Sequence, residues 1–178
     1  VATILDNLAS VQLDAGNYTD AQIHLDRAAE IRERTVGQDH PLYAASLMNL
    51  ANAHVATGDY PQALARFEQS LKIREQALGP DHVDVAATLG NLAALQRMTG
   101  AYPQARARHE RALEIQRKAL GDDHPDLSRN LGGLAAIHHI EGDHAAAQKL
   151  YERVVEIEEK ALGPDHPTLA RDLANLAI

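Results

Sequence analysis

The pentapeptide Leu78-Gly79-Pro80-Asp81-His82 is written four times along the chain, with small changes. The other versions are Val36-Gly37-Gln38-Asp39-His40, Leu120-Gly121-Asp122-Asp123-His124 and Leu162-Gly163-Pro164-Asp165-His166. Their histidines fall at 40, 82, 124 and 166, a constant step of 42 residues. A fixed period of about 20–50 residues marks a stacked array, in which each unit buries its apolar face only against its neighbours. The 178 residues therefore read as one quasi-linear stack rather than as a globule around a single core.

Each period holds two helical segments. In the second period, Pro41 to Thr57 places Leu47, Leu50, Ala51 and His54 three or four residues apart, the spacing of one helix face. Pro41 suits a first turn, where its missing N–H costs nothing, and either Asp39 or His40 is placed to cap the helix start. Gly58-Asp59 breaks this helix; Tyr60-Pro61 opens the next, which runs to about Leu78 with Ala63, Leu64, Phe67, Leu71 and Ile73 inward. The punctuation recurs: Gly16, Gly58, Gly100 and Gly142 mark the turn within each pair, followed by Tyr18, Tyr60 and Tyr102, with His144 the exception. Leu8, Leu50, Leu92, Leu134 and Leu176 align, as do Ala9, Ala51, Ala93, Ala135 and Ala177, and Ala21, Ala63, Ala105 and Ala147. Small residues at such places let helix axes approach closely. No segment alternates with period two, so the expected fold is all-α, an α-solenoid of antiparallel helix pairs. The pairs are expected at 1–36 (first helix truncated), 37–78, 79–120 and 121–162, with a partial first helix of a fifth pair at 163–178.

The set Leu50-Ala51, Gly58, Tyr60, Ala63 and Phe67 resembles the tetratricopeptide repeat, whose helix pair carries these residue types at these offsets. The 42-residue period and the Gly-Pro-Asp-His linker resemble the longer variety found in kinesin light chains and many bacterial arrays. The resemblance covers the whole chain. It implies a right-handed superhelix, with first helices lining a concave groove and second helices forming the convex back. It also implies a non-catalytic scaffold that takes a protein or peptide ligand in the groove.

In that frame Asn7, Asn49, Asn91 and Asn175 share one groove offset, with Gly133 replacing Asn in the fourth copy, and Asn52 lies beside them. An amide offers donors and an acceptor, so it matches a peptide unit of any sequence. Contact with an extended ligand and hydrogen bonding within the array both remain open for this row. A neighbouring offset carries Thr3, Ala45, Ala87, Arg129 and Arg171, and another carries Leu13, Val55, Arg97 and His139. With Asp6 and Asp14 also expected toward the groove, its charge grades from acidic to basic along the chain. Arg97, Arg129 and Arg171 would then suit an acidic ligand segment, unless they are solvated or pair with Glu141 and Asp172. Gly90, Gly132 and Gly133 lie inside first helices, where close approach of a ligand backbone and neutral drift explain them equally well.

Composition narrows the classes further. Lys+Arg 17 against Asp+Glu 25 gives a net charge of −8, and the aromatics are one Phe, five Tyr and no Trp. Neither suits phosphate neutralisation or base stacking, so no nucleic-acid partner is expected. The chain has no cysteine, hence no disulfide or thiolate site, which agrees with a cytoplasmic location. No apolar run is long enough to span a membrane. Ten histidines invite a metal reading, but the linker histidines are spread one per repeat, and His138 and His139 are consecutive, diverging by about 100° on a helix. Neither a metal site nor a cofactor is expected. With no phosphate-binding loop, nucleophile elbow or His-Glu-x-x-His sequence, no catalytic residues are expected either. By phase, Val1 matches Tyr43 and Ile178 matches Asn52, both inside a first helix, so a segment of a longer array is expected. Two other readings stay open: the regulatory repeat segment of a multidomain signalling nucleotide-hydrolase, and an array that self-assembles end to end through Leu173, Leu176 and Ile178.

Overall fold

The computed structural model of the chain describes residues 1–163. Among these residues there are eight α-helices and no strand. They are α1 (Ala2–Asp14), α2 (Tyr18–Val36), α3 (Pro41–Ala56), α4 (Tyr60–Leu78), α5 (Val83–Met98), α6 (Tyr102–Leu120), α7 (Leu127–Ile140) and α8 (His144–Leu162). The segment expected as a further helix, together with Leu173, Leu176 and Ile178, lies outside the described residues beyond Gly163. The chain divides into two compact units, Val1–Leu95 and Gln96–Ile178, each with its own core.

In the first unit, Leu25, Tyr43, Leu47 and Leu50 close against Ala9, Ala21 and Ala44. A second cluster gathers Phe67, Leu92 and Leu95 around Ala51 and Ala63. Ala9, Ala21, Ala51 and Ala63 are all fully buried, so the aligned alanines are the points where helices touch. Phe67 and Leu47 are 1% exposed; side chains of this size stabilise a fold by about 1.5–3 kcal/mol each when buried. The second unit repeats the scheme with Leu113, Leu127, Leu131, Leu134, Val154 and Ile157.

Two turn types join the helices. Within a pair, Gly58 takes φ +78°, its N–H donating to Val55 O at 3.1 Å while the Asp59 N–H donates to His54 O at 2.9 Å. This left-handed stop satisfies carbonyls that α3 leaves unpaired, and Asp59 Oδ1 then accepts the Gln62 N–H at 3.3 Å to start α4. Between pairs the linker histidine takes a backbone N–H two residues on: at His40 this caps α3, whereas α7 begins only at Leu127, with Asp126 at its N-cap and no side-chain cap. Nδ1 of His40, His82 and His124 accepts the N–H of Leu42, Asp84 and Asp126 at 3.1, 3.1 and 3.2 Å. The aspartate before it has other work: Asp123 pairs with Arg153 and, at 3.1 Å, with Lys160, tying the linker to α8. Hydrogen bonds from these two cations hold the Asp123 carboxyl below its usual pKa.

A buried polar contact also recurs where one pair meets the next. Arg32 Nη1 donates to Ser46 Oγ at 2.6 Å, and Arg74 Nη1 to Thr88 Oγ1 at 2.9 Å and Asp84 O at 2.8 Å. In the second unit Asn130 Nδ2 donates to Gln116 Oε1 at 2.9 Å, and Gln116 Nε2 to Asp126 O at 3.1 Å. The residues are different, but both helical positions are the same in each period.

Asp6 departs from expectation. Its carboxylate is 2.5 Å from Arg32 Nη2, both side chains being nearly buried at 12% and 11% exposure. It neutralises the arginine inside the first junction instead of facing a groove, because a buried guanidinium without a counter-charge is costly.

Candidate functional site

The first helices α3, α5 and α7 each keep one stripe of their surface accessible, whereas α1, with Ala9 its one buried residue, is exposed over most of its surface. On α3 the residues Tyr43, Ala44, Ser46, Leu47, Leu50, Ala51 and Ala53 are buried. The remaining face carries Ala45, Asn49 and Asn52, the first two half-buried and Asn52 exposed. On α1 the same offsets hold Thr3, Asn7 and Ser10, all exposed, with exposed Asp14 one turn further on; on α5 they hold exposed Ala87 with half-buried Asn91 and Ala94. Within the first unit, then, Asn7, Asn49 and Asn91 occupy one position on three successive first helices, flanked by alanine and small polar groups. Asp14 is the carboxylate of this stripe once Asp6 is withdrawn into the junction. Such a surface is short, uncharged over most of its length and rich in amides, which favours recognition of backbone over recognition of side chains.

The second unit carries a different surface. The stripe of α7 runs through exposed Arg129, half-buried Gly133 and Ala136, and exposed Ile140. The absence of Asn at 133 has a local cause. A Cβ there would lie 2.3 Å from Nε2 of His109, a side chain from α6 that is 1% exposed. The room beside Gly133 is thus filled from within the protein, not kept for a ligand backbone; a Cβ at Gly132 would meet nothing within 4 Å. His109 Nδ1 lies 2.8 Å from Asn130 Oδ1, extending the Gln116–Asn130 contact into a buried chain of three side chains. Burial pushes the His109 pKa down; the bond to Asn130 opposes this and the Arg97 charge adds to it. A neutral ring donating its Nδ1–H to Asn130 fits, and it leaves Nε2 buried without a partner.

Arg97, half-buried in the last turn of α5, is close enough to act on both His109 and Tyr151 of the same unit. Burial raises the Tyr151 pKa and the Arg97 charge lowers it. Glu141, considered from sequence as a partner of the groove arginines, is engaged by Arg106 of α6. Arg171 and Asn175 lie outside the described residues. Away from these stripes, Tyr18, Thr19, Gln22, Ile23, Asp26 and Thr57 line a shallow depression in the first unit. There burial raises the Asp26 pKa against the charges of Arg66 and His54.

Sequence reasoning missed the polar junctions and the His109 chain. The signal was present as departures from the repeat: His109 stands where Leu25, Phe67 and Tyr151 stand, and Asn130 where Ile4, Ser46 and Thr88 stand. Taken singly these look like drift. In space His109, Gln116, Asn130 and Gly133 are one cluster.

Among the described residues no group of three or more histidine, cysteine or acidic side chains is arranged to hold a metal ion. No helix among them is long and apolar enough to cross a membrane.

Comparison with known proteins agrees with this architecture. A family profile described as tetratricopeptide repeat matches residues 1–76, 49–118, 84–157 and 126–178. No curated protein matches the sequence. Among solved structures, a Podosopora anserina protein assigned as a kinesin light chain, with nearly identical TPR-like repeats, aligns at 28% identity with a TM-score of 0.80, covering 98% of this chain and 83% of that one. A single-substitution variant of the same protein aligns at 28% identity and a TM-score of 0.81, with 98% and 82% covered. BtubC (BKLC) from P. vanneervenii shares the fold at a TM-score of 0.85 and 20% identity, with 97% and 68% covered. Period, punctuation, buried alanine rows and profile agree: the chain belongs to the tetratricopeptide repeat family, in the form seen in kinesin-light-chain-like repeat proteins.

Proposed function

We propose that this chain is a non-catalytic interaction scaffold of the cytoplasm, binding an extended peptide or the edge of a partner protein along its first helices. The observation that carries the reading is the amide row Asn7, Asn49 and Asn91, accessible on successive first helices, of which α3 and α5 bury their other faces. Asn52 adds a second amide one turn along α3. In this reading the asparagines hold ligand backbone, and Arg97 and Arg129 of the second unit favour acidic side chains. Arg171 and Asn175 extend the two rows by phase alone. Membership of a family whose fold typically serves protein–protein interaction supports the same reading. Within each unit the repeat supplies the successive steps of its surface.

Panning a random peptide library against the chain tests this directly. Enriched peptides are expected to be extended, with a subset rich in acidic residues. Asn49→Ala/Asn91→Ala should weaken them regardless of sequence, while Arg97→Ala/Arg129→Ala should weaken only the acidic ones, and most at low salt. Peptides bound equally well by all three proteins would overturn the assignment.

A further inference from the structure

The turn between α7 and α8 brings together two histidines that no other repeat has. Nδ1 of His139, in the last turn of α7, lies 3.3 Å from Nδ1 of His144, the first residue of α8. Their ring centroids are 5.1 Å apart and the planes are inclined by 58°. The repeat provides its own controls. At the two corresponding positions the other turns carry Leu13 and Tyr18, Val55 and Tyr60, and Arg97 and Tyr102. By contrast, the approach of His138 Nδ1 to Asp143 Oδ2 at 3.6 Å is repeated at 3.6 Å by His54 and Asp59, so it belongs to the turn itself. Both histidines fall in one turn, His144 replacing a tyrosine of the other turns, and their Nδ1 atoms lie at hydrogen-bond distance, with donor and acceptor set by the tautomers.

We propose that His139 and His144 form a two-imidazole chelate for a divalent transition-metal ion of the zinc, nickel and copper class. The geometry decides the class. Two nitrogens 3.3 Å apart, each about 2.0–2.1 Å from an ion, subtend roughly 104–111° at it, which is the tetrahedral angle within error. Imidazole nitrogen suits these ions and not calcium or magnesium, which take oxygen. As a simple contact between neutral rings the pair gains little, because the site is exposed and water competes for both nitrogens. The surrounding charge permits a cation. His139 sits at a helix C-terminus, which favours positive charge, and His144 at a helix N-terminus, which opposes it. Asp143 stands between them in the chain, its Oδ1 accepting the Ala146 N–H, while Glu141 is held by Arg106. With two protein ligands, water or a group from outside the chain fills the remaining positions. The consecutive histidines His138 and His139 do not chelate together; the partner of His139 comes from across the turn.

Zinc titration of the untagged chain, followed by calorimetry and by imidazole 15N shifts, tests the site. One ion per chain is expected, with shifts at Nδ1 of His139 and His144. His144→Tyr and His139→Arg install residues that the other repeats accept at these positions, so the fold should hold while affinity falls at least about tenfold. His138→Gln, the residue present as Gln96, should leave affinity within about twofold. No saturable binding up to about 1 mM zinc would overturn the proposal, since paired imidazoles bind more tightly than that. So would unchanged affinity in His144→Tyr, which would assign the ion to other histidines.

Discussion

At the scale of single residues, the informative positions are those where one copy breaks the pattern of the others. Gly133 is the clearest. Gly133→Ala would press a methyl into the His109 ring, which is fully buried and already bonded to Asn130. Overpacking of this kind costs about 1–3 kcal/mol, measurable as a fall in the denaturant midpoint with an unchanged slope. His109 also sets a pH dependence. Its folded pKa lies below the ordinary 6.5, so the unfolded chain takes up the proton first as pH falls. The stability tied to its neutral form is fully present above 6.5 and is lost on acidification from there down to the folded pKa. In proton NMR, His109 is expected to titrate below the ordinary histidine value of 6.5; a midpoint at or above that value would contradict the buried neutral ring.

At the scale of elements, much of the molecule was legible in the sequence. The expected helix from Pro41 to Thr57 is observed as Pro41–Ala56, and the next ends at Leu78 as expected. Repetition made this possible, because a glycine or leucine recurring every 42 residues separates structural signal from local noise. The same averaging hid the junctions, where Arg32–Ser46, Arg74–Thr88 and Gln116–Asn130 keep a contact without keeping a residue. Asp6 shows the cost of that blindness: phase placed it on the groove, whereas pairing with Arg32 draws it inward. Arg32→Met should therefore destabilise the chain by about 3–5 kcal/mol, since it strands the Asp6 carboxylate. Adding Asp6→Leu to it should recover most of that loss, because a buried ion pair replaced on both sides by apolar groups is often neutral. Calorimetric melting of the single and double variants checks the sign of the recovery.

At the scale of the whole molecule, composition and period excluded more than they specified. A stack whose cores are local can vary its exposed stripe without disturbing its fold, so its packing does not specify a partner. The asparagine row was visible because it repeats; the filled space beside Gly133 was not, because it needs a side chain from the preceding helix. The proposed function rests on ligand backbone being held by that row. The most direct test is to measure the affinity of a panned peptide for three proteins: the native chain, Asn49→Ala/Asn91→Ala, and the control Lys72→Ala/Gln76→Ala on exposed positions of α4. Loss of two net hydrogen bonds of about 0.5–1.5 kcal/mol each predicts at least a roughly fivefold drop for the asparagine pair, with the control unchanged. A drop confined to the α4 variant, or none in either, would contradict it.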